Sequence, residues 1–395
     1  MPEQFLHGIE IVEVDDGIRP VQTVKSSVIG LVGTAPDADA AKFPLNTPVL
    51  IPGNPRMAEG LGATGTLKAA LDDIFDQAWA VVVVIRVEEG VDAAATLSNV
   101  VGSASPLSGV HALLSAENEV KVTPRILIAP GFTSDRPGDA ANPVVAELQG
   151  IAQRLRAVII ADGPNTDMAG AITYREDWGS DRIYVVDPGV KVWDTVGNAA
   201  VTRPASARVA GLMARMDADR GFWWSPSNQT INGIVGAARP VDFAMSETNC
   251  EANLLNEKEV ATIVHRNGYR LWGNRTCATD PLWAFLPVRR TADMIYESVE
   301  EAFLWAMDRP MSANLILDIQ ESVNAYLRHL KAVGALLGGK CWLDPTLNTQ
   351  DQLMAGKLYL DFDIEPPAPL EHLIFRTHRE SGYYEELVDQ VLKNN

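Results

Sequence analysis

Cysteine is scarce in this 395-residue chain: Cys250, Cys277 and Cys341 are widely spaced, odd in number and without any C-x-x-C pair. That spacing argues against a disulfide framework or a cysteine zinc site, and buried free thiols in a reducing compartment are expected. Histidine is equally thin. His265, His329, His372 and His378 fall in different expected elements and H-E-x-x-H is absent, so neither a metal nor a cofactor is expected. Basic residues are outnumbered, 33 Lys and Arg against 51 Asp and Glu, for a net charge of −18. The sequence pI is near 4.8. Such a balance opposes partnership with nucleic acid or an anionic membrane surface. Long apolar runs are missing too: the strongest, residues 78–85, stops at Arg86, far short of a bilayer span. The first residues show no basic segment, apolar stretch or small-residue cleavage site of a secretory signal, so a soluble protein made in the cytoplasm is expected.

What is present is a globular composition, 47% hydrophobic, in a chain long enough for two to four domains. Apolar runs at 28–32, 49–51 and 80–87 around a helical pattern at 66–77 predict a small α/β domain over 25–95. Within it, Gly60-Leu61-Gly62-Ala63-Thr64-Gly65 spells G-x-G-x-x-G ahead of a helix. A dinucleotide site needs those glycines directly after a strand, whereas Pro52 and Pro55 intervene. A nucleotide-binding enzyme using this turn is therefore the alternative reading. Over 96–250, strands at 125–129, 157–161 and 182–186 alternate with helices at 142–155, 167–178 and 204–219, which predicts a mainly parallel sheet covered on both faces. Asp162 and Asp187 end strands where an open α/β sheet would carry a site. Yet His111 is that region's one histidine and no serine nucleophile turn accompanies it, so local turn chemistry is the simpler expectation and no catalytic residue is assigned.

Over 251–380, Asn267-Gly268 between apolar runs predicts a hairpin of 260–265 with 269–272. Trp272-Gly273-Asn274-Arg275-Thr276 follows as a sharp turn. Helices are expected at 291–307, ended by Pro310, and at 315–337, ended by Gly338-Gly339; Arg328, His329 and Lys331 cluster near the end of the second. Residues 357–364 alternate, with Leu358, Leu360, Phe362 and Ile364 on one side. Pro366-Pro367-Ala368-Pro369 forms a stiff connector to a second strand at 370–379, which carries Leu373 and Phe375, and Ser381-Gly382 frees a terminal arm at 381–395. At the other end, a lone strand at 5–14 within an arm of residues 1–24 must pair with its own sheet or a neighbour's.

The Trp-Gly-Asn-Arg-Thr segment between a strand and a long helix, with His7-Gly8-Ile9, the 43–51 stretch from Phe43 to Ile51 and the 355–363 stretch from Ala355 to Asp363, resembles contractile phage tail sheath proteins, the family that includes R-type pyocin sheaths. The resemblance runs over nearly the whole chain, and the order of the pieces carries it. It implies a multidomain α/β protein with a subtilisin-like middle domain lacking catalytic residues, an α+β C-terminal core domain and strand arms at both termini. It also implies a structural subunit of the virion tail, assembled in the host cytoplasm as a helical homopolymer around a tail tube protein, with baseplate and tail terminator proteins as further partners. Contraction would drive the tube through a bacterial envelope. In this reading Gly8, Ile9, Ile11, Val12, Val14, Tyr383, Tyr384, Leu387 and Val388 belong to exchanged strand arms, Leu358, Leu360, Phe362, Leu373 and Phe375 to the accepting hairpin, Asp15, Gly17 and Gly382 to joints, and Arg328 and Lys331 to a tube contact. A non-contractile scaffold using the same strand exchange would polymerise without changing length.

Overall fold

A computed structural model describes residues 20–393. The expected N-terminal strand, with Gly8, Ile9, Ile11, Val12 and Val14, and the joint at Asp15 and Gly17 lie outside the described residues. From there the chain runs β1 (Ile29–Thr34), β2 (Val49–Pro52), α1 (Leu67–Phe75), β3 (Val81–Val87), α2 (Ala93–Val101), α3 (Ala116–Val120), β4 (Ile126–Ile128), α4 (Pro143–Leu155), β5 (Val158–Asp162), α5 (Met168–Glu176) and β6 (Ile183–Val186). A small sheet follows, β7 (Val190–Asp194), β8 (Ala199–Arg203) and β9 (Gly236–Ala237), with α6 (Ser206–Asp219) between its last two strands. Next come α7 (Glu251–Glu257), β10 (Val260–His265) and β11 (Tyr269–Trp272).

The described residues form a sheet of eight strands in the order β11-β10-β6-β5-β4-β1-β3-β2. Its inner pairs are parallel, while β2 and β11 run antiparallel at the two edges. The inner strands read as unbroken Val and Ile runs because both faces are covered. One face, including Leu31, Val84, Ile160 and Tyr184, packs on α1 and α6. The other, including Ile85, Leu127, Ile159 and Val185, packs on α2, α4 and α5. The expected boundaries near residues 95 and 250 pass through this sheet. A helix-covered strand buries its backbone groups only when neighbours pair on both sides, so β1–β3, β4–β6 and β10–β11 complete one another's ladders rather than closing separate sheets.

The remainder, α8 (Leu286–Ala302), α9 (Ala313–Ala332), β12 (Gly338–Leu343), α10 (Gln350–Met354), β13 (Leu360–Glu365) and α11 (Tyr383–Lys393), departs from expectation in several places. Helix α8 begins at Leu286 rather than near 291, with Pro287 in its first turn, where a missing N–H costs nothing. Helix α9, capped by the Ser312 hydroxyl accepting from Leu315 N, ends at Ala332 rather than 337, and Gly334 takes the left-handed turn at φ +84°. That frees Gly338-Gly339 to open β12, which pairs antiparallel with β13. Val323, Leu327 and Leu330 of α9 join Ile295 of α8 and Leu360, Phe362 and Ile364 of β13 in a separate core.

Candidate assembly surface

The turn after β11 ties this C-terminal unit to the sheet. Asn267 (φ 51°) and Gly268 (φ 98°) close the β10–β11 hairpin with successive left-handed residues, the geometry that matches strand twist. Gly273 then takes φ +144°, and a Cβ there would lie 2.7 Å from Ala261 Cα. Its carbonyl accepts from the Tyr184 hydroxyl at 2.7 Å and its N–H donates to Ser227 Oγ at 3.0 Å. Cys277 N donates to Ile183 O at 2.9 Å, and Leu286 N to Asn274 O at 2.9 Å, which launches α8. Charge pins α8 to the body: Arg182 grips Asp293 at 2.7 and 2.9 Å, Arg289 donates to Asp181 at 3.3 Å while also bonding Asp293 of its own helix at 2.8 Å, Arg290 grips Asp217 at 2.9 and 2.6 Å, and Arg125 reaches Glu297 at 2.7 Å.

On that base stands the β12–β13 hairpin. Its two edges differ. Cys341 turns its N–H and C=O away from β13 to the Asn324 side chain, at 2.8 and 3.1 Å, so α9 closes the outer edge of β12. Cross-strand partners in an antiparallel pair share one orientation, so Phe362, opposite Cys341, turns its own N–H and C=O outward along β13. Among the described residues no strand pairs with that edge. The side chains of Leu360, Phe362 and Ile364 face the core as the alternation predicts, and Leu358 is half-buried just ahead of the strand.

The expected second strand of this hairpin is not where the sequence suggested. Residues 370–379 form neither strand nor helix, and Leu373 and Phe375 stand 61% and 81% exposed. Two apolar segments linked by a proline corner look alike in sequence whether they pair or not, and β12 holds the place of the partner. The ion pair of Arg275 to Glu371, 2.8 Å at its shortest, ties the stretch to the body and raises the Arg275 pKa through that hydrogen bond. Tyr383, Tyr384, Leu387 and Val388, expected in an extended arm, lie on α11, whose side chains are all exposed. Gly382 joins the two segments. Arg328 bonds Glu321 at 2.5 Å, and Lys331 is exposed in the last turn of α9.

The catalytic alternatives find no footing. Gly62 and Gly65 press against the chain after β1: a Cβ at Gly62 would meet Asp37 Cβ at 2.5 Å, and one at Gly65 the Thr34 carbonyl at 2.4 Å. With the Asp37 carboxylate accepting from Thr64 at 2.5 Å, the turn is filled by its own chain and faces a negative charge. Asp162 and Asp187 differ from the local turn chemistry expected of them. Asp162 accepts from Ser206 N at 2.8 Å and Ser206 Oγ at 2.6 Å, so it caps α6 from 44 residues away. Burial pushes its pKa up to about 6. Asp187 accepts from Asn165 N at 2.7 Å and pairs with Arg239 at 2.8 Å; burial raises its pKa and Arg239 opposes that. His111 lies 3.3 Å from Glu147, apart from both. Among the described residues no cluster of three or more His, Cys, Asp or Glu could hold a metal, and no helix is long and apolar enough to cross a membrane.

Comparison with known proteins agrees with this geometry. Residues 106–277 match the phage tail sheath protein central domain, 278–379 the phage tail sheath C-terminal domain, and 26–87 the tail sheath protein Gp18 domain III N-terminal region. The chain is 39% identical over 389 residues to a putative prophage major tail sheath protein of Pseudomonas aeruginosa (strain UCBPP-PA14), covering 98% of this chain and 99% of that one. It is 38% identical over 401 residues to the tail sheath protein of Escherichia phage P2, covering 99% of each. In fold it is similar to the helical sheath of the anti-feeding prophage in its contracted state, with TM-score 0.70 and 21% identity over 95% of this chain and all (100%) of that one. The PVC sheath complex of an extracellular contractile injection system, also contracted, gives TM-score 0.70 at 18% identity over 97% of this chain and 100% of that one. A mixed α/β multidomain chain matched from one end to the other in this way belongs to the phage tail sheath family.

Proposed function

We propose that this chain polymerises helically around a tail tube, each copy laying an extended segment of its own along the free edge of β13 in a neighbour. The single observation that carries the reading is that outward edge, together with a stretch, 370–379, that forms neither strand nor helix in the same molecule. Backbone bonds would supply strength, and alternate side chains such as Leu373 and Phe375 would supply register. A donated strand makes a heterologous contact, which builds an open helix rather than a closed ring. The work is conformational: exchanged strands hold while joints at Gly382 and at Asp15 and Gly17 absorb backbone rotation, so bodies swing without separating and the sheath shortens to drive the tube through an envelope. Gly8, Ile9, Ile11, Val12 and Val14 supply the second arm. The parallel sheet with helices on both faces suits the subtilisin-like middle domain that the resemblance implies, and α8, α9 and the hairpin suit its α+β core domain. Tube contact falls to Lys331 and Arg328, and baseplate and terminator proteins cap the ends. Assembly takes place in the host cytoplasm.

The test is Leu373→Asp combined with Phe375→Asp. Both side chains stand in solvent, so the monomer should melt as wild type while sedimentable tubes disappear from negative-stain images. Tubes of normal yield and length from the double variant would sink the strand-exchange reading.

A further inference from the structure

Helix α11 is built to be covered, and nothing within the described chain covers it. At about 100° per residue, Tyr383, Leu387, Val391, Tyr384, Val388 and Leu392 follow one another around one half of the helix. Glu385, Asp389, Lys393, Glu386 and Gln390 occupy the other half. Each of the apolar side chains is between 55% and 68% exposed. Segregation this complete is the signature of a helix that lies on an apolar surface.

Three observations narrow the occupant. The polar half is acidic, with Glu385, Glu386 and Asp389 against Lys393, whereas a helix that lies on an anionic membrane carries Lys and Arg there. The face is also small: a helix of 11 residues is roughly 16 Å long and 10 Å across, so it covers on the order of a few hundred Å². That falls well below the roughly 800 Å² per partner of a free-standing complex. It can serve only as a clasp on a molecule already held close by other contacts. Finally, residues 370–382 are a lead without helix or strand, able to span roughly 40 Å when extended, which delivers α11 away from its own body at high effective concentration to a neighbour.

We propose that α11 docks, as a helix and through its Tyr384–Leu387–Val388–Val391 face, onto a second copy of this chain that strand exchange already holds. The inference rests on the polymer reading above. It differs from an extended arm in a way that parity exposes. In a strand, odd and even positions face opposite sides; in a helix, Leu387 and Val391 share a face with Tyr384 and Val388.

The experiment compares purified wild type with two double variants, Leu387→Asp with Val391→Asp and Tyr384→Asp with Val388→Asp, by sedimentation and negative-stain microscopy. Both pairs should lower the yield of polymer at least tenfold while the monomer's melting temperature stays put, since α11 has no buried side chain to lose. Loss in one pair alone means the segment docks as a strand and overturns the helix. Normal polymer from both pairs removes α11 from the interface and leaves strand exchange standing. A wild-type chain that stays monomeric at every concentration overturns the polymer reading and, with it, the second copy as occupant. Flotation of wild-type chain with anionic phosphatidylserine vesicles, abolished by both pairs, would reassign the face to lipid.

Discussion

Asp162 is a carboxyl group that the fold removes from water and then needs. It holds the first turn of α6 through Ser206 N and Oγ and meets the Thr133 hydroxyl at 3.3 Å. Burial outweighs those hydrogen bonds and lifts its pKa to about 6, above the roughly 3.9 of an unfolded chain. A folded-state pKa raised in this way contributes stability that is fully present below pH about 4 and is lost as pH rises through about 6. Asp162→Asn keeps an acceptor for Ser206 N and cannot titrate. Chemical denaturation at pH 5.5 and 7.5 should therefore show wild type gaining about 1 kcal/mol relative to Asp162→Asn at the lower pH. Parallel profiles for the two proteins would refute it. The thiols behave more simply. Cys250, Cys277 and Cys341 are free and buried, and burial pushes Cys277 to about 12 and Cys341 to about 11, so a thiol reagent should label them only after denaturation.

Among the elements, α8 shows how a helix can be attached by charge. Arg289, Arg290 and Asp293 are charged residues of its first two turns, yet all three are buried, with Asp293 1% exposed between Arg182 and Arg289. Removing one member of a buried pair leaves the others charged and unpaired, which costs about 3–5 kcal/mol. Asp293→Ala should lower stability by that amount and loosen α8 from β6, visible as faster amide exchange along α8. A loss below about 1 kcal/mol would mean that water already screens the site. The elements also divide by how they could be read. The β10–β11 hairpin was plain because Asn267-Gly268 admits few other conformations. Pro287 marked the true start of α8, and the expected start at 291 overlooked it. Strand β12 was hidden because Gly338-Gly339 resembles a helix stop, and its ladder partner lies beyond α10.

For the whole molecule, charge and assembly pull against each other. Copies carrying −18 each repel at a distance, and strand and apolar contacts must overcome that repulsion. Salt shortens the screening length to about 10 Å at 0.1 M and to about 8 Å at 0.15 M. Polymerisation followed by light scattering should therefore quicken several-fold between about 20 mM and 300 mM salt. Slowing over that range would place ion pairs, rather than backbone and apolar contacts, at the heart of the joint.

Where neighbours in sequence decide a feature, the sequence alone was sufficient. Continuous Val and Ile runs specified buried strands, their alternation with helical patterns specified a mostly parallel sheet, and the order of motifs pointed to the sheath family. Where the deciding partner lies far along the chain, only tertiary structure could choose. Asp162 caps a helix that starts at Ser206, Cys341 and Asn324 close one edge of the hairpin and leave the other open, and the segment after Pro369 stays unpaired because β12 has taken its place. Residues 383–393 carry an apolar pattern that an arm of either kind could use; in the structure they form a helix whose side chains are all exposed. Pairing energy depends on what is adjacent in space, and a sequence displays only what is adjacent in the chain.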